Sequence, residues 1–375
     1  MKIAVLGSGM VGRTMAIDLA TQHDVTSFDA SEYALELLKS KSTAVKTIKA
    51  DLSSDASYQQ LLQPFDLVVT AVPGFMGYNT LKAVIEAGRN VVDISFFPED
   101  ALQLDALAKE KDVTAIIDCG VAPGVSNLII GRYNELMKIE SFECYVGGLP
   151  KIRKKPFEYK APFSPIDVIE EYTRPARLKE NGHIVTKPAL SETELLDFDE
   201  VGTLEAFNTD GLRSVLFTMQ HVPNMKEKTL RYPGHAELII ALQRSGFFST
   251  ESIRFKQKEI IPSQYTSAIL LKEWKLNPDE EEFTVMKVIV KGNMNGTPKT
   301  IEYTMLDRFD VATKTSSMSR TTGYTSTAMV NAFIEGLFNE AGVFPPELIG
   351  NNEICFNYIL DYLRQRNVMW NKKEY

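Results

Sequence analysis

Short apolar, β-branched runs alternate with helix-forming stretches over the first 120 positions. The runs are Lys2 to Leu6, Val25 to Phe28, Val45 to Ile48, Leu67 to Ala71, Asn90 to Asp93 and Thr114 to Ile117. Between them, Met10 to Thr21, Tyr33 to Lys39, Tyr78 to Ala87 and Asp100 to Lys109 place spaced apolar residues among good helix formers, and Gly88 stands where a helix is capped. Strand-helix alternation of this kind predicts an α/β fold, a Rossmann-type doubly wound parallel sheet, over residues 1–120.

After Cys119-Gly120 the rhythm breaks. A loop with Pro123-Gly124 leads into an expected helix from Ser126 to Met137, with Ser126 as its cap. Alternating runs at Phe283 to Lys291 and Thr300 to Met305, with the charged turn Asn277-Pro278-Asp279-Glu280, predict a second, mixed α/β domain over 121–320. Ser326 to Glu340, ending before Gly342, and Tyr358 to Gln365 read as helices of a C-terminal segment, 321–375. There is no internal repeat.

A chain of 375 residues with 44% hydrophobic content is long enough for two cores. Its net charge of -8 argues against a general nucleic-acid binder. Cys119, Cys144 and Cys355 are widely spaced without a CxxC pair, which disfavours disulfides and a structural metal site, so no metal is expected. No apolar run approaches the roughly 20 residues that span a bilayer. The start MKIAVLGSGM reaches glycines too early for a signal peptide. A cytoplasmic protein without membrane association is expected.

The first strand runs into Gly7-Ser8-Gly9-Met10-Val11-Gly12, a GxGxxG opening the first helix. In that context Gly7 permits the tight turn, Gly9 the approach of a pyrophosphate, and Gly12 close helix-strand packing. Asp29 ends the second strand, 22 positions after Gly7. A carboxylate there accepts both ribose hydroxyls and repels a 2′-phosphate, favouring NAD over NADP, unless it merely caps the helix beginning near Ser31. Asp51-Leu52 after the third strand is expected to border the adenine. Ala71-Val72-Pro73, after the fourth, lies at the edge where ligands collect, although Pro73-Gly74 also reads as a simple turn.

Asp93 ends the fifth strand and is the first polar candidate near the nicotinamide; alternatively, it bonds the amides of its own loop. Cys119 reads as a buried thiol. In the second domain Arg213 and Arg231 are candidates to clamp a substrate carboxylate, if they are not in ordinary salt bridges. His235 is a candidate proton acceptor or a satisfied helix-start histidine. Tyr159 is a further candidate for substrate contact.

The segments VVDISFFPED, DCGVAPGVSN, YVGGLPK, FSPIDVIEEYTRPAR, EAFNTDGLRS, TLRYPGH and SSMSRTTGYT, together with the glycine motif and Asp29, run from end to end of the chain. In these it resembles the saccharopine dehydrogenase-like superfamily, and within it the L-lysine 6-dehydrogenases. The resemblance implies a Rossmann domain, a catalytic and partly dimerising second domain, and C-terminal helices packing back on the first. It implies NAD as cofactor and a small amino-acid substrate: L-lysine oxidised at Cε to 2-aminoadipate 6-semialdehyde, which cyclises to Δ1-piperideine-6-carboxylate. By position, Asp93 would contact the amine with His235 as the competing proton acceptor, and Arg213 and Arg231 would hold the α-carboxylate. A saccharopine dehydrogenase or carboxynorspermidine-type synthase is the alternative enzyme, and an NAD sensor the non-enzymatic one. A homodimer or larger homo-oligomer is expected on general grounds.

Overall fold

The computed structural model describes residues 1–53, 58–161 and 165–375. Phe163 and Ser164, which open the FSPIDVIEEYTRPAR segment, lie outside the described residues. The first third supplies β1 (Lys2–Leu6), β2 (Asp24–Asp29), β3 (Lys46–Lys49), β4 (Leu67–Thr70), β5 (Asn90–Asp93) and β6 (Thr114–Ile116). The middle of the chain supplies β7 (Lys138–Pro150), β8 (Ala176–Glu180), β9 (His183–Lys187), β10 (Glu194–Phe198), β11 (Gly202–Asn208), β12 (Asn224–Arg231), β13 (Ile253–Phe255), β14 (Lys258–Ile260), β15 (Glu282–Met294) and β16 (Thr297–Arg308). The last segment adds β17 (Gly342–Phe344) and β18 (Trp370–Glu374).

The first sheet is parallel throughout, in the order β17-β6-β5-β4-β1-β2-β3. Both of its faces are covered, so its central strands are buried and read as the continuous apolar runs of the sequence. The order reverses between β1 and β4. At that switch point the loops after the two strands diverge and leave a crevice at their carboxyl ends.

The second sheet is mixed. Its path runs β10-β11-β12-β7-β15-β16-β18, with β8 on β12 and β9 on β8; β7 is parallel to β12 and antiparallel to β15. The 13-residue strands β7 and β15 form its spine.

The C-terminal segment ties the two sheets together, and here several boundaries differ from the sequence reading. The helix expected from Ser326 begins nine residues earlier, at Ser317, where the Ser316 side chain caps it. Ser317–Ile334 lies against the first helix, Met10–Leu19, sharing one core with Met15, Leu19, Ala328 and Met329. Asp18 fastens the contact, accepting from the Thr327 hydroxyl (2.5 Å), and ties in the helix Glu353–Gln365 by accepting from the Tyr362 hydroxyl (2.8 Å) and pairing with Arg366 (2.8 Å). β17 extends the Rossmann sheet as its seventh strand, while β18 joins the second sheet beside β16. Ser126 does not cap the helix at the domain junction, which runs Val125–Asn134; Gly124 occupies the cap position and the Ser126 hydroxyl donates to Asn127. Among the described residues no helix is long and apolar enough to cross a membrane.

Candidate active site

A cavity of about 680 Å³ opens at the switch point, between the carboxyl ends of the Rossmann strands and the second sheet. Its Rossmann wall is built by local sequence. Gly7 has φ +110, and a Cβ there would stand 2.4 Å from the Ala71 carbonyl; a Cβ at Gly12 would meet the Gly7 carbonyl at 2.1 Å. Only glycine allows the helix to start so close to the strand.

The first helix has no side-chain cap and no acidic residue in its opening turn. Its first N–H groups have no partner within the helix. Gly9, Met10, Val11 and Gly12 line the cavity, so a phosphate fits at this positive helix end.

Asp29 lines the cavity at the tip of β2. Its Oδ2 accepts from the Ser8 N–H (2.7 Å) and its Oδ1 from the Ser31 N–H (2.7 Å), which fixes the carboxylate while leaving each oxygen a free lone pair. Ser8 itself does not line the cavity. It is fully buried, gives its N–H to Asp29 and pairs its hydroxyl with Ser27 (2.7 Å), so it shapes the loop from behind and is corrected from a contact to a support. Pairing of β2 with β3 brings Asp51, Leu52 and Ser53 beside Asp29, and Ala71, Val72 and Pro73 complete this wall.

The opposite wall was mostly missed by the sequence reading. The helix Pro165–Thr173 and the residue following its end present Asp167, Glu171 and Arg174, spaced four and three apart on one face. β12 presents Glu227, Thr229 and Arg231, alternate residues on one face of the strand. Thr209, Asp210 and Gly211 come from the loop after β11. Those two periodicities, 4/3 on a helix and 2 on a strand, were the signals available.

Glu227 is the distinctive group. It is buried, its Oε2 accepts from the Thr209 hydroxyl (2.7 Å), and Thr209 bonds Thr229 in turn (2.8 Å). A Cβ on Gly211 would fall 2.4 Å from this carboxyl, so any larger residue there would displace the carboxyl from its present position. No ion pair to a Lys or Arg is formed by Glu227 among the described residues, and the groups around it that act on its charge are Thr209, Glu171, Asp210 and Gly211. Burial pushes its carboxyl up to about 8, and the nearby carboxylates of Glu171 and Asp210 push the same way.

Arg231 also lines the cavity, as expected. Its Nε donates to the Tyr172 hydroxyl (2.9 Å), Nη1 to the Leu230 carbonyl (2.9 Å) and Nη2 to the Tyr159 hydroxyl (3.3 Å), and its guanidinium lies 4.3 Å from the Tyr159 ring centre. Tyr159 does not reach the cavity; it supports Arg231 from behind.

Three other candidates are placed elsewhere. Asp93 is fully buried behind Ile94 and Ser95, accepting from the Thr70 hydroxyl and the Ser95 N–H (3.1 Å), with burial pushing it up to about 6. It braces the loop after β5 and does not line the cavity. His235 is packed among Phe157, Tyr159, Tyr172 and Trp274, and burial pulls it down to about 3. Arg213 also lies outside the cavity. Its Nε pairs with Asp118 Oδ1 (2.8 Å), its Nη1 donates to the Phe97 carbonyl, and it stacks 4.8 Å from Phe96. It joins the two domains behind the site.

Residues 3–116 match the saccharopine dehydrogenase NADP binding domain and residues 120–368 the saccharopine dehydrogenase C-terminal domain. The domain that carries the glycine loop is thus a pyridine-nucleotide domain. An L-glutamate-forming, NADP-dependent saccharopine dehydrogenase of Pyricularia oryzae is 28% identical over 72% of this chain and 63% of its own length. A carboxyaminopropylagmatine dehydrogenase of Synechocystis is 22% identical, with 92% of each chain covered. The chain spans less than two thirds of the fungal protein and only 30% of the mouse alpha-aminoadipic semialdehyde synthase that it also matches. The apo saccharopine dehydrogenase structure from Saccharomyces cerevisiae superposes with a TM-score of 0.80 at 19% identity, covering 100% and 99% of the two chains, which establishes the shared fold.

Proposed function

The chain belongs to the saccharopine dehydrogenase family, and from that premise we propose that it is an oxidoreductase removing hydride from the amine-bearing carbon of an amino acid. The substrate in this reading is L-lysine, oxidised at Cε with NAD to 2-aminoadipate 6-semialdehyde, which closes to Δ1-piperideine-6-carboxylate. Glu227 carries the reading. A carboxylate buried in a cavity with no cation of its own is complementary to a cationic ligand, and an amine supplies one.

The pyridine nucleotide, when bound, supplies the two-electron acceptor. The chain's own work is to free the amine lone pair. A lysine ammonium holds its proton near 10.4, so transfer to an ordinary carboxylate costs about 8 kcal/mol, whereas transfer to a carboxyl at about 8 costs about 3 kcal/mol. Glu227 takes that proton, Thr209 holds its Oε2 in place, and Gly211 leaves room for the carboxyl. Water then adds to the iminium left after hydride departure, and the nitrogen leaves as ammonium to give the aldehyde.

Incubation with NAD and L-lysine alone tests this: NADH forms without any 2-oxo acid. Activity confined to saccharopine, or a requirement for a 2-oxo acid, overturns it. The second reading, a secondary amine joining two acidic arms, has one observation in its favour, because Arg174 and Arg231 both line the cavity and two carboxylates have a guanidinium each.

NAD is preferred over NADP because Asp29 stands at the ribose end and Ala30, Asp51, Leu52 and Ser53 beside it offer no cation to a 2′-phosphate. Asp29→Asn is expected to lower kcat/KM with NAD by about 10-fold or more, the loss of a hydrogen bond to a charged group. The NADP:NAD activity ratio rises accordingly. An unchanged ratio would remove Asp29 from the discrimination.

A further inference from the structure

We infer that Arg231 and Glu171 together form a head-group subsite that reads the carboxylate and the ammonium of an α-amino acid at the same time. This rests on the amine-oxidation reading and sharpens its substrate class to a diamino monocarboxylic acid, with the zwitterionic head on Arg231 and Glu171 and the second cation at Glu227.

The geometry of the pair is the first argument. Arg231 Nη2 and Glu171 Oε2 stand 3.5 Å apart, too long for a hydrogen bond, and Glu171 Oε2 makes none although it is buried. Of the other charged groups around the cavity, Asp210 is paired elsewhere through both oxygens, with Arg177 (2.9 and 2.8 Å), and Arg174 through one bond, with Glu170 (2.7 Å). In Arg231, three of the guanidinium's five N–H groups are satisfied from behind, leaving one on each terminal nitrogen. A cation and an anion set side by side, each with bonding capacity in reserve, complement an adjacent carboxylate and ammonium.

The backing of Arg231 is the second argument. The Phe157 carbonyl can only accept, so the Nδ1 of His235 (3.0 Å away) carries the ring proton and Nε2 is the acceptor. Tyr172 therefore donates to Nε2 (3.0 Å) and accepts from Arg231 Nε. This relay points one way, from guanidinium to phenol to imidazole to backbone, and it holds Arg231 against swinging toward either carboxylate. His235 is thus a positioning residue. Glu171 and Tyr172 are neighbours on the helix Pro165–Thr173, so the element that carries the anion also holds the cation through the Tyr172 hydroxyl.

The test uses ligands that separate the head from the reacting amine. L-norleucine has the zwitterionic head without the ε-amine, and hexanoate has the carboxylate alone. L-norleucine is expected to raise the Tm of the wild-type protein more than hexanoate does, with saturating NAD present. Glu171→Gln is expected to abolish that preference and to raise KM for L-lysine about 10- to 100-fold, with kcat changed less than about threefold. 6-Aminohexanoate, which lacks the α-ammonium, responds equally to wild type and variant. Equal stabilisation by L-norleucine and hexanoate, or a preference that survives Glu171→Gln, overturns the subsite. The ligand arm needs no turnover, so failure of amine oxidation is distinguishable from failure of the subsite.

Discussion

Glu227→Gln is expected to lower kcat/KM for amine oxidation by about 10²- to 10⁴-fold, the usual contribution of a positioned proton acceptor. The substitution keeps the shape and the bond from Thr209, which can donate to an amide oxygen as to a carboxylate. What it removes is the site for the proton. The wild-type profile should rise with pH as Glu227 ionises near 8, and the variant should lose that limb. Stability moves the other way. An acid whose folded form binds its proton more tightly than the unfolded chain stabilises the fold at low pH and weakens it as pH rises through about 8. Urea unfolding at pH 9 should therefore find the variant at least as stable as wild type. A variant with wild-type kcat/KM and an unshifted profile would move the proton acceptor elsewhere.

Arg213→Ala should act on stability, not on substrate affinity. Asp118 and Arg213 are both buried and both adopt positive φ, +54 and +47, a conformation that non-glycine residues hold only where their surroundings enforce it. Removing the guanidinium leaves a buried carboxylate, and breaking such a pair costs about 3–5 kcal/mol. Burial already pushes Asp118 up despite Arg213, and without its partner the carboxyl goes higher. The loss is therefore smaller at pH 5, where Asp118 can take up a proton, than at pH 8. Denaturant midpoints at the two pH values measure it. A variant of normal midpoint and greatly raised KM for the amine would return Arg213 to the substrate role.

The cofactor half of the site was legible because its physics is local. A strand, three glycines and a helix start must be contiguous to hold a phosphate, and Asp29 follows at the next strand end. The chemical half is assembled from a helix at 165–173, a loop near 209 and β12, and sequence shows residue type more readily than facing. Asp93 is a candidate by its place at a strand end, and Arg213 and His235 by residue type and motif. The partner of Arg213 is 95 positions away, and the ring of aromatics around His235 comes from as far apart as Phe157 and Trp274. Arg231 is a candidate from the sequence, whereas Glu227 is visible only as its neighbour at alternate positions of one strand. β17 has three residues, too few for any period to register, so the sequence assigns no element to the seventh Rossmann strand.

That short strand has a consequence for synthesis. β17 pairs with β6, whose residues precede it by more than 220 positions, and the whole second sheet except β18 is made in between. The sheet that carries the nucleotide therefore stays open along one edge while the ribosome makes the substrate-binding half. Its last strand arrives only once residue 344 has emerged. Cofactor binding on nascent chains halted at increasing lengths should strengthen at that point, as the final edge of the nucleotide sheet closes.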